Sequence, residues 1–179
     1  MKVIFDPGHW TPDDPGAVGP NGLKESEVAM QICVKAQALL PGHEVKLTHL
    51  NDPDDTDANE LWPRVERGID FNADIFVSVH CNAAENPEAE GFETFVLADT
   101  DTSDNLQRAI HDAYMDEFPG AVDRGMKQAE FAVLKGPFPS VLIETEFISN
   151  ADGEAFLFHN TDRIAKAIAA GITNYFGEL

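Results

Sequence analysis

The stretch Asp74-Ile75-Phe76-Val77-Ser78-Val79-His80 decides the fold class. It is an apolar run closed by a histidine, and it reads as a strand. Elements of alternating type extend from it in both directions. Upstream lie a helical pattern at roughly 62–72, a strand-like Glu44–His49, a helical pattern at 23–40 and a strand-like Lys2–Asp6. Pro63 suits only the first turn of its helix, where a missing N–H costs nothing. Downstream follow strand-like Gly91–Ala98, Glu130–Leu134 and Ser140–Phe147, with helical patterns at 103–117 and 161–176. The last is the clearest, because Ile164, Ile168, Ile172 and Phe176 recur at every fourth position beside Ala165 and Ala169. Alternation of this kind predicts an α/β domain with a largely parallel sheet covered by helices. Loops rich in Gly, Pro, Asp and Asn fall at 11–22, 51–59, 84–90 and 119–129, and none reads as a domain linker.

The 179 residues are therefore expected to form a single domain over 1–179, without repeats or low-complexity tracts. No apolar run approaches the ~18 residues of a membrane span. The chain enters a strand pattern at its first residues, so no signal peptide is expected in it. Acidic residues outnumber basic ones 32 to 12, for a net charge of −20. That balance repels phosphate backbones and anionic lipid and argues against nucleic-acid or membrane partners. A solvated acidic surface explains it; adaptation to a salty habitat is the alternative. Cys33 lies on a helical apolar stripe and is expected to be reduced and structural.

Ionisable residues collect where a sheet forms sites, at the carboxyl ends of strands. His9 follows the first strand in Asp6-Pro7-Gly8-His9, His80 closes the strand 75–79, and Glu144 lies in or just beyond the strand around Val141–Ile143. Glu25 opens the first helix, at the head of the stripe Ala29, Ile32, Cys33, Ala36 and Leu39 or Leu40. Periodicity leaves two readings of it open. One is a core-facing carboxylate that needs a charge or metal partner; the other is a first-turn glutamate facing water. Glu27, by contrast, leads to Gln31 and Lys35 on a wet face. Alternation also leaves Glu144 and Glu146 undistinguished, since both face one side. His43, His49, His111 and His159 lack a matching context and are expected at the surface. Two histidines and a carboxylate form a set suited to catalytic zinc, with an open position for water. The chain has no HExxH helix, Gly-x-Ser-x-Gly elbow or glycine-rich phosphate loop.

These residues also carry a resemblance. Asp6-Pro7-Gly8-His9, Asp14-Pro15-Gly16-Ala17 and Gly22-Leu23-Lys24-Glu25 resemble the opening of the zinc-dependent N-acetylmuramoyl-L-alanine amidases. That family includes sporulation and cell-separation amidases and phage endolysins. Similarity continues through 74–83, Gly91-Phe92-Glu93, Asp123-Arg124-Gly125 and Pro139–Glu144 to Phe147-Ile148-Ser149-Asn150. It implies a twisted sheet of about six strands with helices on both faces. It implies His9, Glu25 and His80 as zinc ligands and Glu144 as the catalytic glutamate. The implied substrate is the amide joining the lactyl group of N-acetylmuramic acid to L-alanine in peptidoglycan. Asn82 and Arg124 fall at motif positions near the cleft and are expected to support the site or touch substrate.

Three departures from the family pattern stand out. Trp10 replaces a small residue and would make the cleft wall bulkier or offer a sugar-stacking surface. Glu146 replaces a glycine and, if inward, would leave one of the two glutamates titrating late. Cys81 follows His80 and by strand alternation should face away from the metal. Some family members carry a helical insertion that blocks the cleft until a partner removes it. Here Gly91–Leu97 runs almost directly into the next helix, so no activator protein is expected. The enzyme would act on the cell wall, in the periplasm or outside the cell, as a phage endolysin or a bacterial autolysin domain. Rival readings are a zinc carboxypeptidase-like amidohydrolase acting on acyl-amino acids or peptides, and an inactive wall-binding module.

Overall fold

A computed structural model describes residues 1–11, 13–98 and 101–177, with the backbone alone at Asp101. Six strands form one sheet: β1 (Lys2–Pro7), β2 (Glu44–Leu47), β3 (Ile75–Asn82), β4 (Phe92–Val96), β5 (Asp123–Gln128) and β6 (Ser140–Phe147). Their order is β2-β1-β3-β6-β4-β5. Strands β1, β2, β3 and β6 are parallel; β4 pairs antiparallel with β6 and parallel with β5. Four helices complete the fold: α1 (Glu25–Ala38), α2 (Leu61–Phe71), α3 (Asp101–Glu117) and α4 (Ala151–Phe176).

Period-two burial gives the sheet two apolar faces. Val3, Phe5, Val77, Val79, Val141 and Ile143 pack with α1, α3 and α4. Ile4, Phe76 and Leu142 turn the other way, onto Val65 and Phe71 of α2 and onto Val133 and Leu134. Helices thus cover both faces, and the carboxyl ends of β1, β3 and β6 open together at one rim.

Two predicted boundaries move, each for a physical reason. Helix α4 begins ten residues before position 161. Asn150 caps it by accepting hydrogen bonds from the Asp152 and Gly153 N–H groups at 2.8 and 3.2 Å. Buried Leu157 and Thr161 extend the stripe back from Ile164, and the threonine hides that continuity from a count of apolar residues. The segment expected as a strand at Glu130–Leu134 holds a 3-10 turn over Ala132–Leu134, and the strand lies earlier, at β5, within the predicted loop 119–129. β5 is an edge strand of polar composition, Asp-Arg-Gly-Met-Lys-Gln, and so carries no hydrophobic alternation.

Candidate metal centre and active site

The turn after β1, the first turn of α1 and strand β3 bring His9, Glu25 and His80 together. One nitrogen from each imidazole and one oxygen of Glu25 lie within 4.8 Å of one another. His9 follows β1 in the left-handed region at φ +61°, a conformation costing a non-glycine residue roughly 1–2 kcal/mol. Its Nδ1 meets Asp14 Oδ2 at 2.8 Å, which leaves Nε2 facing Glu25 Oε2 at 3.1 Å. His80 Nδ1 meets Glu25 Oε1 at 2.9 Å. Each Glu25 oxygen also accepts a backbone N–H, Oε1 from Cys81 at 3.0 Å and Oε2 from Ala17 at 2.9 Å.

Glu25 is only 4% exposed, which decides between its two sequence readings for the core-facing one. The close approach depends on two glycines. A Cβ on Gly8 would stand 2.6 Å from the His80 ring, and one on Gly16 2.5 Å from His9 Cδ2 and 2.7 Å from Glu25 Oε2.

Burial alone would strip the proton from His9, but hydrogen bonds and charge from Glu25 and Asp14 outweigh it, raising the ring to about 9. His80 is raised by the same contest, mainly through Glu25 and Glu144. Glu25 resists its own desolvation because two imidazoles hold its carboxylate far below the usual range. This is a donor set of two imidazoles and one carboxylate, holding protons where a divalent cation would supply the positive charge. The side chains present fit such an ion.

Glu144 faces the same space. It is the register partner of His80, and both line a cleft of about 390 Å³ with His9, Asp14, Leu61 and Phe131. Its Oε2 is buried without a hydrogen-bond partner, and desolvation raises the carboxyl to about 7. A carboxylate with a free oxygen and a pKa near neutrality is suited to moving a proton. A larger cleft, about 490 Å³, lies by the ends of α3 and α4 but carries no imidazole.

The remaining sequence candidates separate. Asn82 Nδ2 donates to Glu93 Oε1 at 2.5 Å, and Arg124 Nε donates to Glu93 Oε2 at 3.2 Å, with Lys127 on the same oxygen. Glu93 pairs directly across β4 and β6 with Glu144, so both motif residues act through a neighbouring carboxylate. Glu146 does not share the cleft with Glu144. The β3–β6 register shifts between His80 and Asn82, which breaks strict alternation. Glu146 instead accepts the Gly91 N–H at 2.5 Å and lines the larger cleft.

Trp10 is 2% exposed and does not line the cleft, so it provides neither of the alternatives expected of it, a bulkier wall or a sugar-stacking surface; exposed apolar side chains at the cleft are Leu61 and Phe131. Cys81 is buried in the core on the α1 side, its thiol pushed up by burial, which fits the prediction that it faces away. Two histidines expected at the surface are buried. His49 donates Nε2–H to the Pro7 carbonyl at 2.9 Å, and His111 bridges Thr94 and Asp123.

The family model described as N-acetylmuramoyl-L-alanine amidase matches residues 3–174. The chain belongs to that amidase family.

The chain is 31% identical to N-acetylmuramoyl-L-alanine amidase AmiA of Escherichia coli, over 97% of this chain and 75% of that protein. It is 35% identical to the endolysin of Bacillus phage SPP1, over 95% of this chain and 64% of the endolysin. Among solved structures it resembles amidase AmiC2 of Nostoc punctiforme, with a TM-score of 0.90 and 31% identity, covering 99% of this chain and 97% of that one. The catalytic domain of CwlV from Bacillus (Paenibacillus) polymyxa gives 0.89 at 32% identity, with 98% of each covered. The expected amidase fold, a mostly parallel six-stranded sheet with helices on both faces, is the one observed.

Three residues packed around the candidate site were not singled out from the sequence: Asp14 and Arg64, which line the cleft, and Glu93, which pairs with Glu144. Arg64 had a legible signal, because it stands with Val65, Gly68 and Phe71 on the buried stripe of α2, a cation where packing calls for an apolar side chain.

Proposed function

We propose that this chain hydrolyses the amide between the lactyl group of N-acetylmuramic acid and L-alanine in peptidoglycan, with a zinc ion held by His9, Glu25 and His80. The observation that carries the reading is a single one. Two imidazoles and a carboxylate converge within 4.8 Å beside a glutamate whose buried Oε2 has no partner. When bound, zinc acts as a Lewis acid toward water and the scissile carbonyl. The chain's own residues do the rest. Asp14 fixes the His9 ring through Nδ1 and keeps Nε2 available. Glu144 takes a proton from the attacking water at its free oxygen and returns it to the departing alanine nitrogen. Leu61 and Phe131 supply apolar surface for the methyl groups that flank this amide. Asn82 and Arg124 hold Glu93 in place opposite Glu144.

The named amidase and endolysin relatives support peptidoglycan as substrate and the cell wall as the place of action. Among the described residues, no helix is long and apolar enough to cross a membrane. Independence from an activator is supported by the connection between β4 and α3, which residues 97–100 alone provide. The alignment with AmiA runs over 223 residues although this chain has 179, so it includes segments with no counterpart here.

The test is Glu144→Gln on purified peptidoglycan. It should keep one zinc per chain and lose turnover by about 10²-fold or more, while wild type frees amines without new reducing sugar ends. Near-normal turnover in the variant would overturn the assignment of Glu144. Release of free amino acids from small peptides, with peptidoglycan untouched, would favour the carboxypeptidase-like alternative.

A further inference from the structure

We infer that Arg64 is a positioning residue for the metal centre, holding the His9 backbone in the conformation that aims its ring at Glu25. Arg64 is 2% exposed, and its three nitrogens make four directed contacts. Nε donates to the Ala58 carbonyl at 2.8 Å. Nη1 donates to the Pro7 carbonyl at 2.7 Å and to Asp6 Oδ1 at 3.2 Å. Nη2 donates to the His9 carbonyl itself at 2.6 Å. Asp6 is wholly buried and balances the charge; Thr48 and Ser78 each donate a hydroxyl to it at 2.7 Å. His49 adds a second donor on Pro7. The carbonyls on both sides of Gly8 and His9 are therefore pinned by one planar fork.

That pinning bears on function because His9 occupies the left-handed region at φ +61°. Left to itself, a histidine there relaxes toward φ below zero and swings its imidazole away from Glu25. Asp14 fixes the ring about its own axis through Nδ1, whereas Arg64 fixes the backbone that carries it. Lysine cannot substitute, since a single ammonium offers one point of attachment where the guanidinium reaches carbonyls in three directions.

The inference rests on the reading of His9 as a zinc ligand, and the experiment separates the two. Zinc affinity is measured by competition with a chromophoric chelator in wild type, Arg64→Lys and the double variant D6N/R64Q. The double variant removes the buried charge pair together, so no unpaired ion remains to unfold the protein, and the amide at position 6 can still bond both hydroxyls. Both variants should bind zinc about 10- to 100-fold more weakly, and added zinc should restore much of their kcat with KM little changed. Variants that bind zinc as tightly as wild type, whatever their urea midpoint, would make Arg64 merely structural and overturn the inference alone. Wild type that binds no zinc would overturn the metal reading, and the inference with it.

Discussion

His9 and Glu144 both hold a proton more firmly than their free side chains, for opposite reasons. Burial opposes charge on His9 and is overcome by Glu25 and Asp14, whereas burial itself raises Glu144. The consequence for the metal-free protein follows from linkage. A ring raised from 6.5 to about 9 contributes stability that is fully present below pH 6.5 and lost as pH climbs through 9. His80, also raised, adds to the same slope. The Tm of chelator-treated protein should therefore fall from pH 6.5 to 9, and a rise over that window would refute the assignment. Glu144, raised to about 7, makes a contribution that is complete below its ordinary value of 4.5 and fades as pH rises through 7. Glu144→Gln removes it, so the variant should gain Tm relative to wild type across that interval. Zinc affinity should run the other way and strengthen with rising pH, because the ion competes with protons for both rings; titration of bound metal against pH checks this.

At the level of elements, the site depends on how closely backbones approach. The loop joining β1 to α1 passes Gly16 against both His9 and Glu25, at φ +68°. Gly16→Ala should weaken zinc binding by at least tenfold while leaving far-UV circular dichroism intact, since the β1–α1 loop lies outside the helices; unchanged affinity would show that the loop can give way. Helix α4 meets α3 through Gly171, where a Cβ would stand 2.5 Å from Ile110 Cα and 2.9 Å from the Ala109 carbonyl. Alanine gains about 1 kcal/mol of helix propensity over glycine. Forced overpacking costs about 1–3 kcal/mol, and here the obstacle is backbone, which cannot rotate aside. Packing wins that comparison, so Gly171→Ala should lower stability, by up to about 2 kcal/mol in urea unfolding.

Across the whole molecule the excess of acid is the dominant long-range force. A net charge of −20 repels itself over the folded surface, and salt at 1 M shortens the Debye length to about 3 Å. The Tm should rise as sodium chloride is added toward molar concentration; a flat response would remove salt adaptation as an account of the composition. Four residues, 97–100, separate β4 from α3, too few to form a blocking helix. Purified protein should release amines from peptidoglycan without any added partner, and a requirement for an activator would contradict that reading.

Sequence by itself determined the alternation of strands and helices, because buried faces impose a period of two or 3.6 wherever side chains meet a core. It also marked His9, Glu25, His80 and Glu144, since their motifs and the buried stripe of α1 locate them in one dimension. Strand alternation left Glu144 and Glu146 undistinguished and the family motif pointed to Glu144; only the tertiary structure supplied the physical reason, because a register shift between neighbouring strands is a property of the pair and leaves no trace in either one. Only there does Trp10 turn out to be buried, β5 exist as a polar edge strand, and Arg64 reach the carbonyl of His9 from 55 residues away. The contact of a side chain with a distant backbone carbonyl belongs to the folded chain, because two positions 55 residues apart meet only once the sheet and helices are assembled.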